Sequence, residues 1–352
     1  MSIYTNALYL EDIARVADID LPWDKLQDKS VLLSGATGLL GSFLVDVLLH
    51  KNSYGLNCKV YALGRTQKKA EVRFIKWWGD ESLVFLPYNI NKSFVRDDIG
   101  TVDYVFHLAS NTHPVQYATD PIGTINTNII GLRNMLDFAV KHEATRFAFA
   151  SSNEIYGENR GDVEMFDEGY CGYIDPNTLR AGYPESKRCG EALCQAYKTQ
   201  KGLDIVIPRF TRSYGPTMLL TDTKAISQFI RKGIAGEDIV LKSAGTQNYS
   251  YTYMADAIYG LLTVILCGEN GEAYNIADEG SNITLKDLAK IIADHSGKQV
   301  VFEIPDAVEE AGYSKATKAL LDGSKLKALG WEPFYTIQNG IPRTIDILKT
   351  TM

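Results

Sequence analysis

The sequence predicts an α/β fold, a Rossmann-like doubly wound parallel sheet with a smaller, intertwined C-terminal α/β lobe. Three observations predict it. The apolar run at residues 30–34 (Ser-Val-Leu-Leu-Ser) leads straight into the glycine loop Gly35-Ala-Thr-Gly38-Leu-Leu-Gly41, and a helical pattern follows from Leu39 to Leu49. Across the next half of the chain, apolar runs alternate with helical periods, the pattern of a parallel sheet with right-handed crossovers. The last third then changes to helical stretches separated by short β segments.

Taken in order, an N-terminal extension over 1–29 carries one short helix. Strands are expected at 30–34, 59–63, 83–86, 102–108, 147–150 and 204–208. Helices are expected at 39–49, at 125–141 (Ile129, Leu132, Leu136 and Val140 give the spacing) and at 188–201. Further on, 226–235, 255–267, 285–295 and 324–329 read as helices, and 239–242 and 273–276 as short strands. The organisation expected is therefore an extension (1–29), an NAD(P)-binding domain (30–208) and a mainly substrate-binding lobe (209–352) with part of the sheet interleaved.

Composition narrows the function. The 352 residues carry a formal charge of −7, which argues against nucleic acid or an anionic membrane as partner. No apolar run approaches the roughly 20 residues needed to span a bilayer. The opening residues lack the basic start and apolar centre of a signal peptide. Cys58, Cys171, Cys189, Cys194 and Cys267 form no CxxC pair, so buried, reduced thiols and a cytoplasmic location are expected, with no metal site. No G-x-S-x-G elbow suggests a serine hydrolase.

The glycine loop carries the first chemistry. A strand–loop–helix with glycines at these places gives a tight turn, close backbone approach to a pyrophosphate, and a helix N-terminus whose free N–H groups and positive dipole suit phosphates. Gly35, Thr37, Gly38, Leu39, Leu40 and Gly41 are thus the expected cofactor loop, although the spacing is GxxGxxG rather than GxGxxG. At the end of the second strand, Leu63-Gly64-Arg65-Thr66 stands where an acid normally holds the adenosine ribose. Arg65 either binds a 2′-phosphate or is a solvated surface arginine, which leaves NAD and NADP both open.

Tyr183-Pro-Glu-Ser-Lys187 sets a tyrosine and a lysine one helical turn apart on one face. Lys187 is expected to lower the phenol pKa, as would an oxidised nicotinamide, so that Tyr183 can take a proton from a substrate hydroxyl while hydride leaves the same carbon. Ser151-Ser152-Asn153-Glu154-Ile-Tyr156-Gly157 follows a strand and supplies a hydroxyl and an acid.

With these motifs in this order, the chain from about Ser30 to Ile347 resembles the extended short-chain dehydrogenase/reductases of the NAD-dependent epimerase/dehydratase family. It is most similar there to the UDP-glucuronate decarboxylases. The motifs concerned are His107-Leu-Ala-Ser110, Asp120-Pro-Ile, Thr124-Ile-Asn-Thr-Asn128, Ser152 to Gly157, Arg180-Ala-Gly-Tyr183 with Lys187-Arg188, Glu191-Ala-Leu-Cys194 and Tyr214-Gly-Pro216. The resemblance implies a tightly bound, recycled NAD or NADP contacted also by Leu108, Ala109, Ser110, Asn128 and Lys187. It implies that Ser152 helps Tyr183 hold the C4 oxygen and that Glu154 positions substrate or proton. The chemistry implied is redox-neutral: hydride leaves C4 of a nucleotide diphosphate sugar, the resulting 4-ketone makes a C5 carboxylate a β-keto acid that loses carbon dioxide, and the hydride returns. The family's pairing of two helices, here roughly Ile125–Lys141 and Pro184–Lys201, implies a homodimer through a four-helix bundle.

Departures from the pattern matter. Asn153 stands where a 4,6-dehydratase has an acid, and it has no acid proton to give a departing C6 hydroxyl. A 4-epimerase is the first alternative and a 4,6-dehydratase, disfavoured by Asn153, the second; the rival from another class is a non-catalytic NAD(P)-binding regulator, which the intact Ser152/Tyr183/Lys187 set disfavours. Tyr249 replaces an arginine that contacts the diphosphate in the family, Arg212 replaces an asparagine, and Thr217 replaces another arginine. Either the pyrophosphate or the nucleotide sugar sits differently, or Arg209, Lys224 or Lys242 supplies the contacts. His113, Arg180, Arg212 and Tyr249 are the substrate-side candidates, His113 reading first as a structural loop residue and second as a substrate contact. Arg133 is expected at the surface, and Trp77-Trp78 in packing.

Overall fold

The computed structural model describes residues 2–112, 114–219, 221–303 and 317–351. Its strands are β1 (Ser30–Ser34), β2 (Lys59–Gly64), β3 (Leu83–Pro87), β4 (Tyr104–His107), β5 (Arg146–Phe149), β6 (Ser151–Ser152), β7 (Ile205–Phe210), β8 (Arg212–Tyr214), β9 (Ile239–Leu241), β10 (Asn248–Tyr253), β11 (Ala273–Ile276), β12 (Asn282–Thr284), β13 (Val300–Phe302) and β14 (Lys318–Ala319). The helices are α1 (Ala7–Ala17), α2 (Leu39–Asn52), α3 (Gln67–Arg73), α4 (Pro114–Thr119), α5 (Pro121–Asn126), α6 (Leu132–Lys141), α7 (Gly182–Lys201), α8 (Ala225–Ala235), α9 (Met254–Cys267), α10 (Leu285–Ser296), α11 (Ser324–Lys327) and α12 (Ile337–Lys349).

The main sheet is parallel in the order β11-β7-β5-β4-β1-β2-β3, with β6 continuing beside β7. Strand order reverses at β1, between β2 and β4, which opens the crevice where such sheets bind ligands. Register brings Ser34, His107 and Phe149 level at the carboxyl edge, so the segments after β1, β4 and β5 emerge together. Strand alternation sorts the core. Leu32, Val105, Phe147 and Ile205 pack under α6 and α7, while Val31, Leu33, Phe106 and Val206 face α2 and α9.

Three elements differ from the sequence expectation. The helix expected at 125–141 is α5, a π-helical turn over Thr127–Gly131, and α6. Its cause is Asn128, buried and hydrogen-bonded on both sides, and such bulges gather at functional sites. The helix expected from 188 starts at Gly182, because Pro184 sits in the first turn, where its missing N–H costs nothing. The 255–267 helix, in the last third of the chain, packs against α2 and β7, and β11 completes the main sheet. A helix apolar all round must be covered on every side, and α9 is buried from Met254 to Leu266. The remainder, the sheet β12-β10-β14 with β8 beside β10, the pair β13-β9, and helices α8, α10 and α12, forms the second layer against the carboxyl edge.

Cys58 and Cys194 are buried, but Cys171 and Cys189 are exposed, which corrects the expectation of buried packing for all five. Each lies on a surface turn or helix face rather than under the sheet. Trp77 is buried, with its indole N–H on Asp46, whereas Trp78 is 40% exposed. Arg133 is at the surface. No helix among the described residues is long and apolar enough to cross a membrane, and no group of His, Cys, Asp or Glu among them is placed to hold a metal ion.

Candidate active site

The glycine loop is built for a close approach. Gly35 adopts φ +76°, and a Cβ there would meet the Ala109 backbone nitrogen at 2.8 Å. A Cβ on Gly41 would lie 2.3 Å from the Gly35 carbonyl oxygen, so neither position admits a side chain. Gly38 caps α2 without a side-chain hydrogen bond. The first-turn N–H groups of α2 around Leu39, Leu40 and Gly41 therefore point to the crevice, with Thr37 on the loop and Leu108, Ala109 and Ser110 alongside. These residues fit the pyrophosphate of a dinucleotide. The turn after β8 is fastened here too, because the Thr217 hydroxyl donates to the Leu39 carbonyl at 2.7 Å. Arg65 is exposed just beyond β2, at the end of the crevice where an adenosine ribose would lie.

A hydrogen-bond chain joins this loop to the tyrosine helix. The Ser110 hydroxyl donates to Asn128 Oδ1 at 2.7 Å, and Asn128 Nδ2 donates to the Ser186 hydroxyl at 2.8 Å. Ser186 in turn donates to the Tyr183 carbonyl at 2.8 Å. Asn128 makes this bridge from within the π turn. Ser186 was not singled out from sequence, although it sits inside the Tyr183–Lys187 spacing and on the same side of the helix.

Tyr183 is buried, and its phenol faces the Ser152 and Ser110 hydroxyls, both of which pull its pKa down. Burial dominates, with the Glu154 carboxylate adding to it, and the phenol is pushed up to about 12. The lowering expected from Lys187 and an oxidised nicotinamide together therefore has to work against burial. The Lys187 ammonium donates to the Ala150 carbonyl at 2.7 Å and lies 5.9 Å from the Tyr183 ring centre. Desolvation drops the Lys187 pKa to about 7, with Glu191 opposing the fall. Ser152, at the end of β6, also accepts from the Glu154 backbone N–H at 3.2 Å.

Glu154 is tied to Arg180, whose Nη2 reaches both carboxylate oxygens at 2.7 and 2.6 Å. The Arg180 guanidinium lies 4.8 Å over the Tyr117 ring, and Tyr117 stacks on Tyr183 at 4.7 Å between centres. Tyr117 belongs to the site but left no sequence signal, since it lies on a short helix outside every motif. Asn153, Glu154, Arg180, Tyr117 and Arg212 line one cavity of about 520 Å³. Arg212, on β8, stacks on Tyr249, on β10, with its guanidinium carbon 3.5 Å from the ring centre. His113 lies outside the described residues.

Arg209 does not face the substrate side. It forms a two-pronged pair with Glu191 at 3.0 and 2.7 Å and donates to the Tyr156 hydroxyl and the Glu168 carbonyl. Glu191 also accepts from the Ser151 hydroxyl at 2.5 Å. Arg209 thus braces the catalytic strand from behind and cannot replace a missing phosphate contact. Lys224 is paired with Asp222 at 2.8 Å.

A dinucleotide loop at a strand-order reversal, with a serine hydroxyl, a phenol and an ammonium gathered beside it, is what an extended short-chain dehydrogenase/reductase is organised around, and the chain is an enzyme of that class. Residues 31–277 match the model of the NAD dependent epimerase/dehydratase family, and the chain belongs to that family. It is 30% identical over 315 residues to UDP-glucuronic acid decarboxylase 3 of Arabidopsis thaliana, covering 89% of this chain and 86% of that one. The fold matches dTDP-glucose 4,6-dehydratase of Streptomyces venezuelae, solved with NAD bound, at TM-score 0.79 and 24% identity over 91% of this chain and 97% of that one. It also matches UDP-glucuronic acid 4-epimerase of Bacillus cereus, solved with NAD and a UDP-sugar as a tyrosine-to-phenylalanine variant, at TM-score 0.79 and 20% identity over 92% of this chain and all of that one.

Proposed function

We propose that the chain decarboxylates a nucleotide-activated uronic acid of the UDP-glucuronate type, through transient oxidation at sugar C4. The observation that carries this is the convergence of the Ser152 and Ser110 hydroxyls on the Tyr183 phenol, on the helix that also carries Lys187, above a site whose middle residue Asn153 has no acid proton. The decarboxylase relative at 30% identity supports the substrate class. The 35–41 loop would hold NAD, which would supply a hydride acceptor for C4 and the positive charge that brings the phenol within reach of deprotonation. Tyr183 takes the C4 hydroxyl proton, Ser152 donates to the C4 oxygen, and Lys187 supplies positive charge from behind. With a ketone at C4, the C5 carboxylate leaves as carbon dioxide and its bonding pair forms an enolate whose oxygen Tyr183 and Ser152 hold; a proton from water then takes the carboxylate's place at C5 before the hydride returns. Glu154, steered by Arg180, positions the sugar, and Arg65 reads as a surface residue.

Residues 30–208 then act as the cofactor domain and 209–352 mainly as the substrate lobe, with α9 and β11 returned to the first. A cytoplasmic homodimer is proposed, pairing the faces of α6 and α7; Ile122 and Ile130 are apolar and exposed beside them.

The test is incubation of the NAD-loaded enzyme with UDP-glucuronate. Carbon dioxide and a UDP-pentose are expected. Retention of the carboxylate with inversion at C4 would replace this reading by 4-epimerisation, which the pairing of Glu154 with Arg180 also permits, since an epimerase needs only the hydroxyl and the phenol.

A further inference from the structure

Two guanidinium groups with unspent donors reach the same cavity. Among the described residues, Arg180 has Nε and Nη1 buried without an acceptor, and Arg212 has Nη1 buried without one. A buried charged donor left unsatisfied is expensive, so its retention needs a reason. The carboxylates nearby do not supply one. Glu154 is taken up by Arg180 Nη2, while Glu158 and Asp175 lie exposed on the outer wall.

The pose of Arg212 is imposed by the sheet. Parallel pairing sets Arg212 beside Tyr251, and Tyr249 lies two residues back on the same face of β10. The guanidinium carbon sits 3.5 Å over the centre of the Tyr249 ring, which holds the group in place and leaves the buried Nη1 for the cavity. A planar guanidinium can lie against such a ring and keep its edge donors directed elsewhere, whereas an ammonium sits over a ring as a point charge.

We propose that Arg212, presented by Tyr249, is a specificity-determining residue that binds an oxyanion of the substrate, either the sugar carboxylate or a phosphate of the diphosphate. Tyr249 is the positioning residue. The inference rests on the nucleotide-sugar reading of this cavity and adds to it which side chain recognises the negative charge.

Calorimetric titration of the NAD-loaded, full-length enzyme with UDP, UDP-glucose and UDP-glucuronate tests it. Arg212→Gln is expected to weaken binding roughly ten- to a hundred-fold, the size of a lost charge-assisted hydrogen bond. Equal loss for all three ligands assigns the contact to phosphate; loss confined to UDP-glucuronate assigns it to the carboxylate. Tyr249→Leu should weaken the same ligands by a smaller factor, and the double variant should bind no worse than Arg212→Gln. Affinities within twofold of wild type for every ligand in a folded Arg212→Gln protein would overturn the assignment. Should that variant not fold, Tyr249→Leu decides alone, loss supporting the proposal and wild-type affinity overturning it. Failure of the wild-type enzyme to bind any of the three is a separate result, because it removes the nucleotide-sugar reading itself.

Discussion

At the scale of single residues, the site sets two ionisable groups against their surroundings. Tyr183 is held protonated by burial, and Lys187 is held close to losing its proton for the same reason. The lysine makes a stability prediction. Its folded pKa lies below the unfolded value, so between about pH 7 and about pH 10.5 the unfolded chain binds a proton that the folded chain does not, and stability rises with pH across that window. Lys187→Met should flatten the rise and stabilise the protein by a few kcal/mol at pH 6, while abolishing turnover. Urea unfolding of both proteins at pH 6 and pH 9 checks this; a variant less stable than wild type at pH 6 contradicts it. Tyr183→Phe should lower kcat at least about 100-fold, the share of a positioned acid–base group, with NAD affinity nearly intact by fluorescence titration. The nearness of Tyr183 to Lys187 and the tight glycine turn could be read from the sequence, because helical spacing and a strand–loop–helix junction fix both locally. Tyr117 and the Glu154–Arg180 pair could not, since they meet only when separate loops fold onto one edge.

At the scale of elements, the site is a matter of how helices start and bend. The periodicity of 125–141 reads as one helix because Ile129, Leu132 and Leu136 keep their spacing. The π turn around Asn128 was illegible, since no residue type announces a bulge whose cause is a hydrogen bond to β4's loop on one side and α7 on the other. Asn128→Leu should straighten this link, costing roughly 2–3 kcal/mol for the lost buried hydrogen bonds and lowering kcat more than it raises KM. Thermal unfolding and steady-state kinetics report the two effects; a change in KM alone would contradict a positioning role. Gly41→Ala forces a Cβ against the Gly35 carbonyl oxygen and should weaken NAD binding more than it weakens binding of free UDP, measured by calorimetry.

At the scale of the whole molecule, the N-terminal extension joins the two layers. On one side Tyr4 and Tyr9 reach Asp46 of α2, where Arg73 and Trp77 also bind it. On the other, Asp12 of α1 accepts from the hydroxyls of Tyr253 and Tyr335 and from Arg343 of α12. The sequence showed a short helix here but not its partners, because each contact spans tens to hundreds of residues. Removing one member of a buried charged cluster strands the others, so Asp46→Leu should cost roughly 3–5 kcal/mol in denaturant unfolding. A loss below 1 kcal/mol would make the extension a passenger rather than a strut.

In the proposed reaction, C4 of the sugar gives up a hydride and receives the same one back while Tyr183 handles the proton. UDP-glucuronate carrying deuterium at C4 tests it most directly, with the UDP-linked product analysed by mass spectrometry after turnover in ordinary water. A pentose that keeps its deuterium is expected. A product whose deuterium has been replaced by hydrogen, or one released with its carboxylate and its C4 configuration both unaltered, would contradict it.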